Sequence, residues 1–79
     1  MKKIRPVSVI PLENHILLIE FNNNERRLFN VAPYISGSWY GMLADENYFK
    51  TAHIADGTVE WADGQDIAPH ELYETSLPA

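Results

Sequence analysis

The sequence predicts an α+β protein: a small antiparallel sheet of about five strands, two hairpins plus an N-terminal strand, with short helices in the central connection and at the C-terminus. Three observations lead there. Aliphatic and β-branched residues recur with the two-residue period of half-buried strands. Residues that tolerate positive φ, Asn22-Asn23-Asn24 and Asp56-Gly57, separate pairs of these stretches and mark hairpin turns. Pro69 then stands where a helix would start, because the first helical position needs no backbone N–H.

The elements follow in order. Ile4 to Ile10 reads as a strand with Val7 and Val9 on one face and Ser8 on the other, and Pro6 confines it to an edge. Pro11-Leu12-Glu13-Asn14 reads as a turn. His15 to Phe21 and Glu25 to Phe29 form the first hairpin. A two-residue loop at Asn23-Asn24 sets Glu20 opposite Arg27 and Ile19 opposite Leu28, and is preferred over a loop at Asn22-Asn23, which would oppose Glu20 and Glu25. A three-residue loop is the remaining alternative. In the preferred register Leu17, Ile19, Phe21 and Leu28 share a face, with Leu18 and Phe29 on the other. Apolar residues on both faces predict a central position for this pair, or a second face covered by the helical segments.

Asn30 to Leu43, broken by Pro33, Gly37 and Gly41, reads as a connection with short helical turns, and Asp45-Glu46 suits a helix N-terminus. Lys50 to Ile54 and Thr58 to Trp61 form the second hairpin, in which Ala55 faces Thr58, Ile54 faces Val59 and His53 faces Glu60. In the last segment Ile67 and Leu72 are placed as a hydrophobic staple around Pro69. Glu71 is placed to reach back to the cap, and Asp66 to supply the acceptor that Ala68 lacks. Leu77-Pro78-Ala79 reads as a frayed end.

The 79 residues are expected to form one domain, 1–79, at a size where only about 60% of the unfolded surface is buried on folding. There is no cysteine, so disulfides and thiolate metal sites are excluded. No apolar run reaches the roughly 18 residues of a membrane span, and Met1-Lys2-Lys3 leads into no signal-peptide core, so no membrane association is expected and the cytoplasm is the expected compartment. The net charge of −5 opposes direct nucleic-acid binding, unless Lys2, Lys3 and Arg5 join Arg26 and Arg27 across neighbouring first and third strands.

Catalytic, metal and cofactor sites find little support. His70-Glu71-Leu72-Tyr73-Glu74 begins like a zinc-protease helix but has Glu74 where the second histidine belongs. His53 and Glu60 could act as an acid–base pair, yet a cross-strand ion pair accounts for them, and no nucleophile or oxyanion hole lies nearby in sequence. Gly37, Gly41, Gly57 and Gly64 are too dispersed to cradle a phosphate. Asp63, Gly64 and Asp66 lack the ligand alternation of a calcium loop. No cofactor is expected, and the chain is not expected to be an enzyme.

Val7 and Val9, Leu17-Leu18-Ile19-Glu20-Phe21 with the asparagine turn, and Arg27-Leu28-Phe29-Asn30 form a pattern with Phe49 and Val59-Glu60-Trp61. It continues through Asp63-Gly64-Gln65-Asp66-Ile67-Ala68-Pro69 and Leu72-Tyr73. This resembles the bacterial domain of unknown function 2442 family over nearly the whole chain. Asn24 stands where that family usually has the turn glycine, and Asn30 where it often has aspartate. The resemblance implies a small α+β domain with an antiparallel sheet. It also implies genetic arrangements reminiscent of toxin–antitoxin pairs.

The preferred functional expectation is a cytosolic protein-interaction module, an antitoxin-like or regulatory partner of a small protein encoded beside it. The partner would be bound through a sheet edge or through the aromatic connection around Tyr34, Trp39 and Tyr40; aromatic anchors dominate binding energetics, so Tyr34, Trp39, Tyr40, Trp61 and Tyr73 are the candidate partner-binding residues. The second expectation is a small-ligand or sensory domain walled by Trp61 and Tyr73. The third is an enzyme using His53, Glu60 or His70. Homodimerisation is expected to use the uncovered first strand, if it occurs.

Overall fold

A computed structural model describes residues 3–79, with the side chains of Ser38 and Trp39 outside that description. Its strands fall into two antiparallel sheets, one of four strands and one of three, accompanied by short helices and 3₁₀ turns. The α+β class and the antiparallel pairing are those expected.

The four-stranded sheet runs in the order β1 (Pro6–Pro11), β2 (Ile16–Phe21), β3 (Arg26–Asn30) and β7 (Leu77–Pro78). β1 lies at its edge, as a strand containing proline must, and its register with β2 shifts between Pro6 and Ser8. That irregularity leaves Val7 half exposed, while Val9 packs against the core as expected. β2 and β3 are the central pair, also as expected.

Their register departs by one residue from the preferred one: Glu20 faces Arg26, Ile19 faces Arg27, Leu18 faces Leu28 and Leu17 faces Phe29. The loop holds all three asparagines. Phe21 and Glu25 close it through a 2.8 Å N–H to carbonyl bond, and Asn24 sits at φ 71. A left-handed residue ending a three-residue loop is a common hairpin solution, and asparagine tolerates it better than most side chains. The shift matters because side chains alternate faces. Phe29 joins Leu17, Ile19 and Phe21 in the core, and Leu28 joins Leu18 on the outward face.

The connection coils as anticipated, through a 3₁₀ turn at Ala32–Tyr34, α1 (Gly37–Tyr40), another 3₁₀ turn at Gly41–Ala44, and α2 (Glu46–Phe49). Asp45 caps α2, its carboxylate accepting from the N–H groups of Asn47 at 2.8 Å and Tyr48 at 3.3 Å.

The three-stranded sheet comprises β4 (His53–Ala55), β5 (Thr58–Glu60) and β6 (Asp66–Ile67) in that order. Its hairpin has the register read from sequence, because Asp56 and Gly57 both take positive φ and fix a two-residue loop. Asp66 is used as a strand residue opposite Glu60 and does not cap the last helix.

Helix α3 (Pro69–Glu74) starts at Pro69 as expected and buries Ile67 and Leu72. Glu71 does not reach back to the cap; its carboxylate accepts from the Tyr34 hydroxyl. The C-terminal residues also depart from expectation. Leu77–Pro78 forms β7 against β3, held where Arg27 donates to the Ser76 hydroxyl at 2.7 Å and to its carbonyl at 2.9 Å, and the Ala79 N–H donates to the Arg26 carbonyl at 3.0 Å.

Both sheets, the connection and α3 contribute to one apolar cluster centred on Leu17, Ile19, Phe21, Phe29, Trp61 and Leu72. Each such side chain gains about 1.5–3 kcal/mol on full burial. Three polar side chains are buried with it. Thr58 donates to the Ile67 carbonyl, Gln65 accepts from the Tyr48 hydroxyl at 2.8 Å, and Ser76 accepts from Arg27 and donates to the Tyr73 carbonyl at 2.8 Å.

Candidate interaction surface

The aromatic residues proposed as anchors are divided by the fold. Trp61 is 0% exposed, its indole N–H donating to the Phe49 carbonyl at 3.0 Å, so it is a core residue and neither a partner anchor nor a ligand wall. The cause is alternation: Trp61 continues β5 on the side of buried Val59. Tyr34 and Tyr40 are half-buried, with hydroxyls donating to the Glu71 carboxylate and, at 2.8 Å, to the Asp66 carbonyl. They tie the connection to the C-terminal segment. The bond to Glu71 pushes the Tyr34 hydroxyl above its ordinary pKa, because ionisation would set two anions together. The Trp39 side chain lies outside the described residues.

Tyr73 is half-buried on α3. Its ring meets the edge of Phe21 at 5.1 Å, the Arg27 guanidinium lies 4.7 Å from its centre, and its hydroxyl donates to Glu25. That bond raises the Tyr73 pKa and, with the Asn23 amide and the Arg27 charge, lowers that of Glu25. Tyr73 also lines an open groove of about 770 Å³ between the N-terminal segment, the Asp56-Gly57 turn and α3, whose lining includes Lys3, Arg5, Asp56, His70 and Glu74.

The histidines suggested for catalysis do not meet. His53 faces Glu60 at 3.2 Å, and its Nδ1 lies 2.8 Å from the Thr51 carbonyl; this carbonyl first, then Glu60, holds its pKa above the ordinary value. Both ring nitrogens are therefore engaged. His70 stands on the groove rim on a different element. Among the described residues, no three His, Asp or Glu side chains gather as a metal site. The described basic residues do not form the patch that neighbouring first and third strands would give: β2 lies between these strands, and Arg27 turns inward beneath Tyr73 while Arg26 points outward. Lys2, the remaining member of that patch, lies outside the described residues.

The feature missed by sequence reading is the outward face of the four-stranded sheet. Ile10 pairs with Leu18, Leu18 with Leu28 and Leu28 with Leu77, so four aliphatic side chains form one row across all four strands. Ile10 is 53% and Leu77 70% exposed, with Leu18 and Leu28 partly exposed between them. Glu20 and Arg26 occupy the next row on the same face, 3.7 Å apart. The row depends on the true hairpin register and on β7. With Leu28 assigned inward and Leu77 assigned to a frayed end, it could not be seen.

A small α+β fold of two antiparallel sheets with an aliphatic row on an uncovered face is the class of protein these observations define. The family model described as "Protein of unknown function (DUF2442)" matches residues 6–77, and the chain belongs to that family. Comparisons with curated proteins and with solved structures found no match. No helix among the described residues is long and apolar enough to cross a membrane.

Proposed function

We propose that this chain is a non-enzymatic protein-interaction module that works through the outward face of its four-stranded sheet. The observation that carries the reading is the Ile10–Leu18–Leu28–Leu77 row. Isolated exposed aliphatics are ordinary on protein surfaces, but a contiguous apolar patch bordered by charge is typical of contact surfaces. The half-buried tyrosines are occupied with internal bonds and support the scaffold. A cytosolic, antitoxin-like role toward a small neighbouring protein is the finer form of this reading. Its support is the net charge of −5, which suits a basic partner.

The test is a photo-crosslinking residue placed at Leu28 and, as a control, at exposed Asn47 on α2. Protein adducts from position 28 and not from position 47 support the reading. Equal labelling from both positions, or none from position 28, contradicts it. Co-purification with the product of an adjacent gene would support the finer form.

A second reading, ligand binding, is favoured by the groove beside Tyr73, whose volume is within the usual range for small-molecule sites. A metabolite at about 100 times its dissociation constant would add about 2.7 kcal/mol and raise the melting temperature by several degrees. A Tyr73→Ala variant should lose that response.

A further inference from the structure

We propose that the outward face of the four-stranded sheet is covered by the same face of a second copy of this chain, related by a twofold axis running along the strands between β2 and β3. This rests on reading that face as a contact surface, and it names the occupant.

The charge pattern selects the partner and the axis. The order β1-β2-β3-β7 places the hairpin β2-β3 at the centre, with one strand on each side. A half-turn about an axis along the strands exchanges β2 with β3 and β1 with β7. Leu18 then meets the partner's Leu28, Ile10 meets the partner's Leu77, and Glu20 meets the partner's Arg26. Each of these pairs already shares a row within one chain, so its members lie at the same height along the strands. The Glu20 and Arg26 side chains retain 37% and 69% exposure, so both can reach across, and the four charges would alternate in sign around a square. An axis along the aliphatic row would set Glu20 over the partner's Ile16 and desolvate it without a counterion, at a cost. The first arrangement is self-complementary in both apolar and charged contacts, as an isologous interface requires.

The size of the face sets the strength. Four strands about 4.8 Å apart, with outward side chains about 7 Å apart along each strand, make a patch of about 20 Å by 20 Å. Two copies would bury about 800 Å², short of the roughly 1,200 Å² of stable complexes. The dimer is therefore reversible and concentration-dependent.

Sedimentation velocity of the full chain over a concentration series tests this. The unsubstituted chain should shift toward twice the monomer mass as concentration rises, and Leu28→Glu should stay monomeric. Glu20→Arg alone and Arg26→Glu alone should each associate about tenfold more weakly or worse, because like charges then meet twice across the axis. Mixing these two chains should restore association as a heterodimer, since positions 20 and 26 would again carry opposite charges at both contacts across the axis. The mixture also controls for folding, because each chain carries its own substitution alone and mixed. A chain that remains monomeric at its highest attainable concentration, single variants that associate like the unsubstituted chain, or a mixture that gains nothing would overturn the proposal. Crosslinks from position 28 to a different protein, with the chain itself monomeric, would sink self-pairing while leaving the interaction-module reading standing.

Discussion

Replacing Trp61 with phenylalanine should destabilise the fold more than any other single aromatic-to-aromatic change. Trp61 is 0% exposed, its ring lies 6.0 Å from that of Phe49, and its N–H is bonded to the Phe49 carbonyl. The substitution keeps an aromatic ring but removes the donor, leaving the Phe49 carbonyl with the Ala52 N–H at 3.3 Å, and the lost hydrogen bond costs about 0.5–1.5 kcal/mol. It also leaves about 40 Å³ unfilled, which at about 24 cal/mol per Å³ adds about 1 kcal/mol. The sum is about 1.5–2.5 kcal/mol, against a total stability of about 4–12 kcal/mol for a chain of 79 residues. Unfolding entropy of about 2.1 cal/mol/K per residue gives about 0.17 kcal/mol/K for this chain, so the melting temperature should fall by about 9–15 °C. Thermal unfolding followed by circular dichroism measures it. A fall of less than about 5 °C would refute the burial of Trp61 and return its indole to the candidate binding residues.

Three further outcomes are expected. Thr58→Val removes the hydroxyl that donates to the Ile67 carbonyl beside its strand partner Val59, and should cost about 0.5–1.5 kcal/mol, read as a melting temperature lower by about 3–9 °C. Asn24→Gly relieves a left-handed residue at φ 71 and should raise stability by about 0.5–1 kcal/mol; an unchanged or lower melting point would argue for a different loop. Glu25 has a depressed folded pKa, so the stability it contributes is present above its ordinary value of 4.5 and is lost as pH falls through the folded value. Tyr73→Phe should move the Glu25 carboxyl titration, followed by NMR, back toward 4.5 but not fully, since Asn23 and Arg27 still favour the anion.

Legibility in the sequence followed how far local chemistry decided the structure. Asp56-Gly57 admits essentially one tight hairpin loop, so β4 and β5 could be registered residue by residue. The asparagine triplet admits several. The Glu20–Arg27 contact used to choose among them is an exposed ion pair, usually contributing under about 1 kcal/mol, whereas moving Phe29 into the core gains about 1.5–3 kcal/mol. Glu20 finds Arg26 in the observed register, so the charge argument could not discriminate. The strand at Leu77–Pro78 has no local signal, since its anchors are Arg27 and the Arg26 carbonyl, far away in sequence.

The candidate site was less legible for the same reason. Aromatic residues suggest anchors by their type alone, but Tyr34, Tyr40 and Tyr73 close over the core and direct their hydroxyls to internal acceptors. The aliphatic row is assembled from four strands. Only correct pairing of all four makes Ile10, Leu18, Leu28 and Leu77 neighbours.

Methyl NMR of the isolated protein with an inert paramagnetic chelate addresses the sheet face most directly. At low concentration the methyls of Ile10, Leu18, Leu28 and Leu77 should relax strongly while those of Leu17 and Ile19 are spared, and the first set should become protected as concentration rises. Equal relaxation of Leu17 and Leu18, or an outward row whose exposure never changes with concentration, would contradict the account.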